Sequence, residues 1–367
     1  MKRRFLYQQV ASDIMERIVS GSYRDGDVLE SNEVLIERYR ASSITINKAL
    51  GSLVAKGVVK RIPGKGSLVS YDGHAVRDRA GTRMIGTVVF DMSQPDVWAG
   101  SIKAIEDYLY PLGYQLVVGN DSGSVERMVE YIDRFVSQGI EGFVFVPLSC
   151  ATEKEFGEVN KRIASRIRQA GLSYVVMHRV LRNIDTAQVG FDNYQDSLTL
   201  TETILRSGRS RPVMLSHDYH NSVIGDRERG FLDVLRSDDE SDPRSRIIRL
   251  SGTGNQSGSH PDYGAMLTHE LRARGGGDAL IAVDDHYLKI LVNIGQSERL
   301  FMDKKVLLSG FGCFDEAVAG GVIDIYQRQE PSELGETAIA LLMDRLRRGD
   351  TDSRHIVRIP SVLTFGT

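Results

Sequence analysis

The sequence predicts an α/β protein in two parts, an N-terminal winged helix-turn-helix joined to a two-lobed, doubly wound α/β body. Three observations carry this. Phe5 to Val69 holds three short helical patterns and then a two-stranded hairpin. From Met84 onward, β-rich apolar runs alternate with helical stripes, in more repeats than one compact sheet needs. Charge divides at the same place: residues 1–71 carry twelve Lys/Arg against seven Asp/Glu, about +5, and the remainder 34 against 42, about −8. A basic module on an acidic body is the footprint of nucleic-acid binding confined to one end.

In the basic module, Val10, Ile14 and Ile18 recur every fourth residue and predict a first helix, ended by Gly21. Tyr23 to Leu29 reads as a Gly- and Asp-rich turn. Ser31 suits the N-cap of a second helix with Val34, Leu35 and Tyr39 facing inward. Ser42 caps a third, with Ile46, Leu50, Leu53 and Val54 inward and Ser43, Asn47 and Lys48 outward. Val58–Arg61 and Ser67–Val69 read as strands joined by Pro63-Gly64-Lys65-Gly66, a turn with the glycines a wing requires. The Gly-Lys-Gly-Ser run is not a phosphate loop, because the upstream glycine is missing and a strand follows it.

These residues resemble the GntR family of bacterial transcription factors. The match runs through Leu6-Tyr7-Gln8-Gln9-Val10, Ile18-Val19-Ser20-Gly21, Gly26-Asp27-Val28-Leu29, Ser42…Thr45-Ile46…Ala49-Leu50 and Gly57-Val58-Val59…Gly64-Lys65-Gly66-Ser67. The resemblance implies that the third helix enters the major groove of duplex DNA and that the wing meets the backbone. Ser42, Ser43, Thr45, Asn47, Lys48, Arg61, Lys65 and Gly66 are the candidate DNA-binding residues, Asn47 being suited to adenine. The chain departs from the family at Ser43 and Asn47, where arginines are usual, at Arg40 for a glycine, and at Glu30 for a proline.

Asp72 to Arg83 reads as a polar linker. Beyond it come a strand at Met84–Phe90, a helix through Trp98, Ile102, Ile105, Leu109 and Leu112, and a strand at Tyr114–Val118. A helix at Val125–Val136, a strand at Gly142–Leu148, a helix at Phe156–Ala170 and a strand at Tyr174–Met177 follow. A second series has strands at Gln188–Phe191, Val213–Ser216, Ile247–Leu250, Leu280–Val283 and Val306–Phe311, with helices between most of them. Gly252-Thr253-Gly254 opens no helix, so a dinucleotide site is not expected. Open parallel sheets bind ligands beyond the carboxyl ends of their strands. There the chain places Asp91, Asn120-Asp121, Ser149, His178-Arg179, Asp192-Asn193, His217-Asp218 and Asp284-Asp285.

Residues 84–363 resemble the LacI-type regulator receptor, itself similar to periplasmic sugar-binding proteins. The telling residues are Ile85-Gly86…Asp91…Pro95, Gly113-Tyr114, Gly139-Ile140-Glu141-Gly142, Val189…Asp192-Asn193, Arg227…Gly230-Phe231, Asp284-Asp285, Gly310-Phe311 and Gln327…Pro331…Leu334-Gly335. The resemblance implies a periplasmic-binding-protein-like receptor domain, dimerisation, and three lobe crossovers near residues 184–187, 310–313 and 325–328. It also implies a small polar effector, a sugar or less often a purine, held in the cleft. Asp91, Trp98, His178, Arg179, Arg227 and Asp285 are the candidate ligand residues. An arginine fork, a carboxylate pair and an aromatic face are the groups that recognise a sugar.

The expected domains are thus 1–71, the linker 72–83, and the two-lobed receptor 84–367. Two distant cysteines, Cys150 and Cys313, encode neither a disulfide framework nor a zinc cluster. The basic start Met1-Lys2-Arg3-Arg4 is followed by no apolar stretch, and no run approaches the ~18 apolar residues of a membrane span. No nucleophile elbow or metal-ligand spacing supports catalysis. The reading is a cytoplasmic, non-enzymatic regulator without cofactor or metal, a homodimer on a pseudo-palindromic operator. The alternative is a carbohydrate sensor or scaffold whose winged helix has decayed, motivated by Ser43 and Asn47.

Overall fold

A computed structural model describes residues 6–19, 22–55, 58–70, 82–90, 95–182, 184–237, 242–249, 263–273, 276–298, 306–313, 322–348 and 354–366. The N-terminal module has helices α1 (Leu6–Val19), α2 (Asn32–Tyr39) and α3 (Ser43–Ala55), then strands β1 (Val59–Ile62) and β2 (Gly66–Val69). Val10, Ile14 and Ile18 of α1 are buried with Leu35 of α2 and Ile46, Leu50 and Leu53 of α3, as the spacing predicts. Val34 and Val54 are the exceptions, 44% and 37% exposed. Ile46, Ala49, Leu50 and Leu53 fill the inward side of α3 and Leu35 that of α2, and the two valines lie off those faces.

Ser31 accepts from the Val34 amide at the start of α2, and Ser42 accepts from the Thr45 amide at the start of α3. The hairpin is antiparallel, pairing Val59 with Val69 through Ile62 with Gly66. Its turn closes with the Lys65 amide donating to the Ile62 carbonyl, 3.0 Å, over a left-handed Gly64 at φ 75°. A proline followed by a positive-φ glycine is a type II turn, which is why this pair stands there. Glu30, where the GntR pattern has proline, accepts from the Tyr23 hydroxyl and pairs with Arg38, each at 2.5 Å.

Arg40, in place of the usual glycine, caps α2 in the left-handed region at φ 49° and ψ 40°. A side chain there clashes with its own carbonyl, at a cost of about 1 kcal/mol. Arg40→Gly is therefore expected to raise stability by about 1 kcal/mol, read as a higher urea midpoint at unchanged slope. An unchanged or lower midpoint would contradict the strain.

The receptor begins with β3 (Met84–Val89), α4 (Pro95–Leu109), β4 (Gln115–Asn120), α5 (Val125–Ser137), β5 (Gly142–Phe145), α6 (Glu153–Gln169), β6 (Ser173–Met177) and β7 (Ala187–Phe191). It continues through α7 (Asn193–Arg206), β8 (Pro212–Ser216), α8 (Ser222–Ser237), β9 (Ile247–Arg249), α9 (Tyr263–Ala273), β10 (Ala279–Ala282), α10 (Asp285–Glu298) and β11 (Leu307–Gly312). Last come β12 (Ile325–Arg328), α11 (Pro331–Arg348), β13 (His355–Ile359) and β14 (Val362–Phe365). The strands form two six-stranded sheets, ordered β13-β7-β6-β5-β3-β4 and β14-β12-β11-β10-β8-β9. Pairing is parallel from β13 through β3 and from β12 through β9, and β14 runs antiparallel to β12. Strands buried on both faces read as continuous apolar runs, and β8, β10 and β11 are buried throughout.

The chain changes sheet three times. It leaves the first at Asp192, because α7 packs on α8, β8 and β12 of the second. It returns at Gln329–Glu330, because α11 lies against β5, β6 and β7. It crosses again at Pro360–Ser361, between β13 on the first sheet and β14 on the second. The expected crossovers at 184–187 and 325–328 are thus displaced by a few residues. The one at 310–313 is wrong, since those residues end β11 within the second sheet. The error comes from β13 and β14, whose half-exposed residues give no apolar run to read.

Candidate nucleic-acid interface and ligand cleft

On the N-terminal module, α3 presents Ser42, Ser43, Asn47 and Lys48 to solvent, with Thr45 half-buried. Few of these groups are idle. The Ser42 hydroxyl caps the helix and sits 2.9 Å from the Thr45 hydroxyl. The Asn47 amide oxygen accepts from Arg61 Nη2 at 2.9 Å and from Asn32 Nδ2 at 3.3 Å, while its nitrogen donates to Ser43 Oγ at 3.3 Å. Asn47 therefore ties the first wing strand and α2 to the third helix, and its adenine-reading edge is already engaged. The Lys48 ammonium lies 4.3 Å from the centre of the Tyr7 ring, a cation–π contact. Lys65 and Gly66 are exposed at the wing tip, with Gly66 at φ 93°.

In the receptor, the carboxyl ends of the parallel strands gather the polar set. On the first lobe His178 and Arg179 follow β6. The His178 ring meets Trp98 edge-on, centroids 5.0 Å apart, and the Arg179 guanidinium lies 6.0 Å from the Trp98 ring centre. Arg179 donates from Nη1 to the Pro147 carbonyl at 2.6 Å. Its Nε and the Nδ1 of His178 are buried without a hydrogen-bond partner. Buried polar atoms are nearly always satisfied, so two adjacent orphans beside one aromatic ring stand out. Asp121, at the end of β4, is buried, and burial pushes its carboxyl up from the ordinary range.

Burial, reinforced by the charges of Arg179 and Arg227, pushes His178 well below its ordinary value, so its ring is neutral at pH 7. Below about pH 6.5 the unfolded chain takes up a proton that the folded site refuses, so stability falls as pH drops through that value. His178→Asn, which tolerates the same left-handed backbone (φ 72°), should remove up to about 1.4 kcal/mol per pH unit of that slope. Parallel wild-type and variant slopes between pH 6.5 and 5 would contradict this.

On the second lobe Arg227 is fully enclosed. It donates from Nε to Asn193 Oδ1 at 2.9 Å and from Nη1 to the Val283 carbonyl at 2.5 Å, and it stacks 4.6 Å from the Phe311 ring centre. Asn193 Oδ1 also accepts from Gln329 at 3.2 Å, so Arg227 is bonded into two of the crossovers. The third is held by Asp196, which accepts from the Ser361 amide and hydroxyl while its carbonyl accepts from Gln327. Asp285 starts α10, accepting from Tyr326 OH at 2.8 Å and from the Cys313 amide at 2.9 Å. Beside it Asp284 pairs with the buried His217 at 2.6 Å. Burial alone would push the Asp284 carboxyl up, but His217 holds it well below the carboxylate range.

The lobes meet in a two-residue antiparallel bridge. The Cys150 amide donates to the His220 carbonyl at 2.9 Å, the His220 amide returns to Cys150 at 2.6 Å, and Asn221 donates to Ser149. Of the expected ligand residues, Trp98, His178 and Arg179 thus gather on the first lobe and Arg227 and Asp285 on the second. Asp91 lies outside the described residues. Tyr326, Cys313 and Gln329 were not singled out from sequence, because β12 was not recognised as a strand. The Gln327…Pro331 motif was the signal available.

A winged helix-turn-helix and a two-lobed receptor on one chain define a two-module regulatory protein. Residues 6–69 match the family of bacterial regulatory proteins named gntR, so the N-terminal module is a gntR-type helix-turn-helix. Over 347 residues the chain is 21% identical to the arabinose metabolism transcriptional repressor of Geobacillus stearothermophilus, covering 94% of this chain and 92% of that one. The receptor has the fold of a LacI family transcriptional regulator from Silicibacter pomeroyi (TM-score 0.62, 20% identity, 77% of this chain and 97% of that one). It is equally similar to an ABC transporter solute binding protein from Bacillus halodurans, solved with bound myo-inositol (TM-score 0.62, 16% identity, 79% and 96%). Among the described residues no helix is long and apolar enough to cross a membrane.

Proposed function

We propose that the protein is a ligand-responsive transcription repressor of the bacterial cytoplasm, binding a pseudo-palindromic operator as a homodimer and controlled by a small polar effector, a carbohydrate. The domains are assigned as 1–71 for DNA, 72–83 as linker and 84–367 for effector binding and dimerisation. Two copies of one reading head on a two-fold axis call for matching half-sites. Similarity to an arabinose repressor along both modules supports the regulatory reading over a decayed head.

The observation that carries the effector class is the pair of orphaned buried atoms, His178 Nδ1 and Arg179 Nε, beside the Trp98 ring. Donors and acceptors around an aromatic face suit the hydroxyls and apolar face of a sugar. Trp98, His178, Arg179, Arg227 and Asp285, with Asp91, are the residues assigned to it. Ser42, Ser43, Thr45, Asn47, Lys48, Arg61, Lys65 and Gly66 are assigned to DNA, with Asn47 and Arg61 acting as one unit. The test is a thermal-shift panel of mono- and oligosaccharides on the full-length protein, together with duplex binding at several salt concentrations. A sugar-specific rise in melting temperature and a steep salt response are expected. No shift from any sugar would remove the effector class, and a flat salt response would remove the DNA role.

A further inference from the structure

Among the described residues of the reading helix, Ile44 is the apolar side chain that stands furthest out of both the core and the polar network. Ile44, in the first turn of α3, is 81% exposed, whereas the other isoleucine of that helix, Ile46, is fully buried. An apolar side chain standing alone in water is unremarkable on most surfaces. Here it stands on the helix whose first turn is assigned to base edges. Ile44 lies three and four residues before Asn47 and Lys48, hence on the same strip of helix surface. The polar groups of that strip are committed: Asn47 to Arg61, Asn32 and Ser43, and Lys48 to the Tyr7 ring. Further along the strip, Gly51 would meet nothing within 4 Å if it carried a side chain, so nothing of the protein fills the space beside that face.

In the major groove, the thymine C5 methyl is the one base feature that an aliphatic side chain recognises. We infer that Ile44 is a specificity-determining residue that packs against a thymine methyl in each operator half-site. In doing so it takes over discrimination that arginines at positions 43 and 47 would otherwise supply. This rests on the assignment of α3 to the major groove. Burying a methyl against Ile44 is worth about fourfold in affinity per contact, from roughly 0.8 kcal/mol per buried carbon.

The experiment is selection of bound duplexes from a randomised pool by the full-length wild type and by Ile44→Ala. The selected duplex is then titrated with each thymine replaced in turn by uracil, which removes only the methyl. The expected result is one thymine per half-site whose replacement weakens the wild type about fourfold and leaves Ile44→Ala unaffected, with that position degenerate in the variant's own selection. The exposed position predicts an unchanged melting temperature for Ile44→Ala. An enriched sequence that tolerates uracil everywhere, or is identical for both proteins, overturns the role of Ile44 and leaves operator binding standing. A change in self-association with base preference intact likewise overturns it and moves Ile44 to a protein contact. A pool that yields no enriched sequence overturns the DNA assignment itself.

Discussion

Gly312→Ala is expected to abolish effector binding and to cost about 2–6 kcal/mol of stability. A methyl at that position would lie 2.1 Å from Asp285 Oδ1 and 2.2 Å from its carboxyl carbon, on a backbone at φ 149° that side chains rarely adopt. Asp285 has nowhere to retreat, being buried and anchored by Tyr326 and the Cys313 amide. Overpacking of a fixed core group costs about 1–3 kcal/mol, and the backbone strain adds a similar amount. Asp285→Ala alone should weaken the effector by about 2–5 kcal/mol, the usual loss for one partner of a buried charged hydrogen bond, with a smaller stability loss. Gly312→Ala combined with Asp285→Ala should then be more stable than Gly312→Ala alone, because the colliding carboxylate is gone. Urea denaturation and calorimetry with the sugar identified by thermal shift decide it. A Gly312→Ala protein with wild-type stability and affinity would show that Asp285 is not fixed. Arg227→Ala is expected to lose the effector too, but at a larger cost to folding, since Arg227 also secures Asn193 at the crossovers.

Saturating effector is expected to change operator affinity about 5–150-fold, or 1–3 kcal/mol, and operator to change effector affinity by the same factor. The residues assigned to the effector sit on both lobes, and Arg227 is bonded to Asn193 at a crossover, so occupancy and lobe geometry share groups. Release of DNA is the expected sign under the proposed repressor role. Operator titrations with and without the sugar test this. Equal affinities would make the receptor and the reading head independent modules, as a fully flexible linker between them would.

The fold was legible where burial is one-sided or complete. The stripe Val10–Ile14–Ile18 and the apolar runs of β3, β5, β6, β8 and β10 declare themselves, because core position leaves a period or a block in the sequence. The β13–β14 pair did not, since their strands are half-exposed and mixed in polarity. That gap misplaced one crossover, and the short β12, equally unread, hid Tyr326 and Gln329. On the reading head the candidate polar residues were visible, but not that Asn47 spends its amide on Arg61. Such a partnership joins residues fourteen apart through a turn, and no local spacing encodes it. Ile44 was passed over for a different reason: the phase set by Ile46, Leu50 and Leu53 turns it outward with Ser43 and Asn47, but attention to polar groups leaves an apolar one unread.

The bridge between Cys150 and His220 is written entirely in main chain. Two such hydrogen bonds are together worth about 1–3 kcal/mol net, so opening the receptor faces a low threshold of the same size as the coupling an effector must deliver. Neither of these two bonds uses a side chain, although Asn221 donating to Ser149 and the His220 ring edge-on to Phe156 add side-chain contacts beside them. Proline at either position would delete an amide donor and lower the threshold. The main-chain part of the junction is thus independent of the side chains assigned to the effector, so exchanging Trp98, His178, Arg227 or Asp285 should alter what is bound and leave that pairing in place.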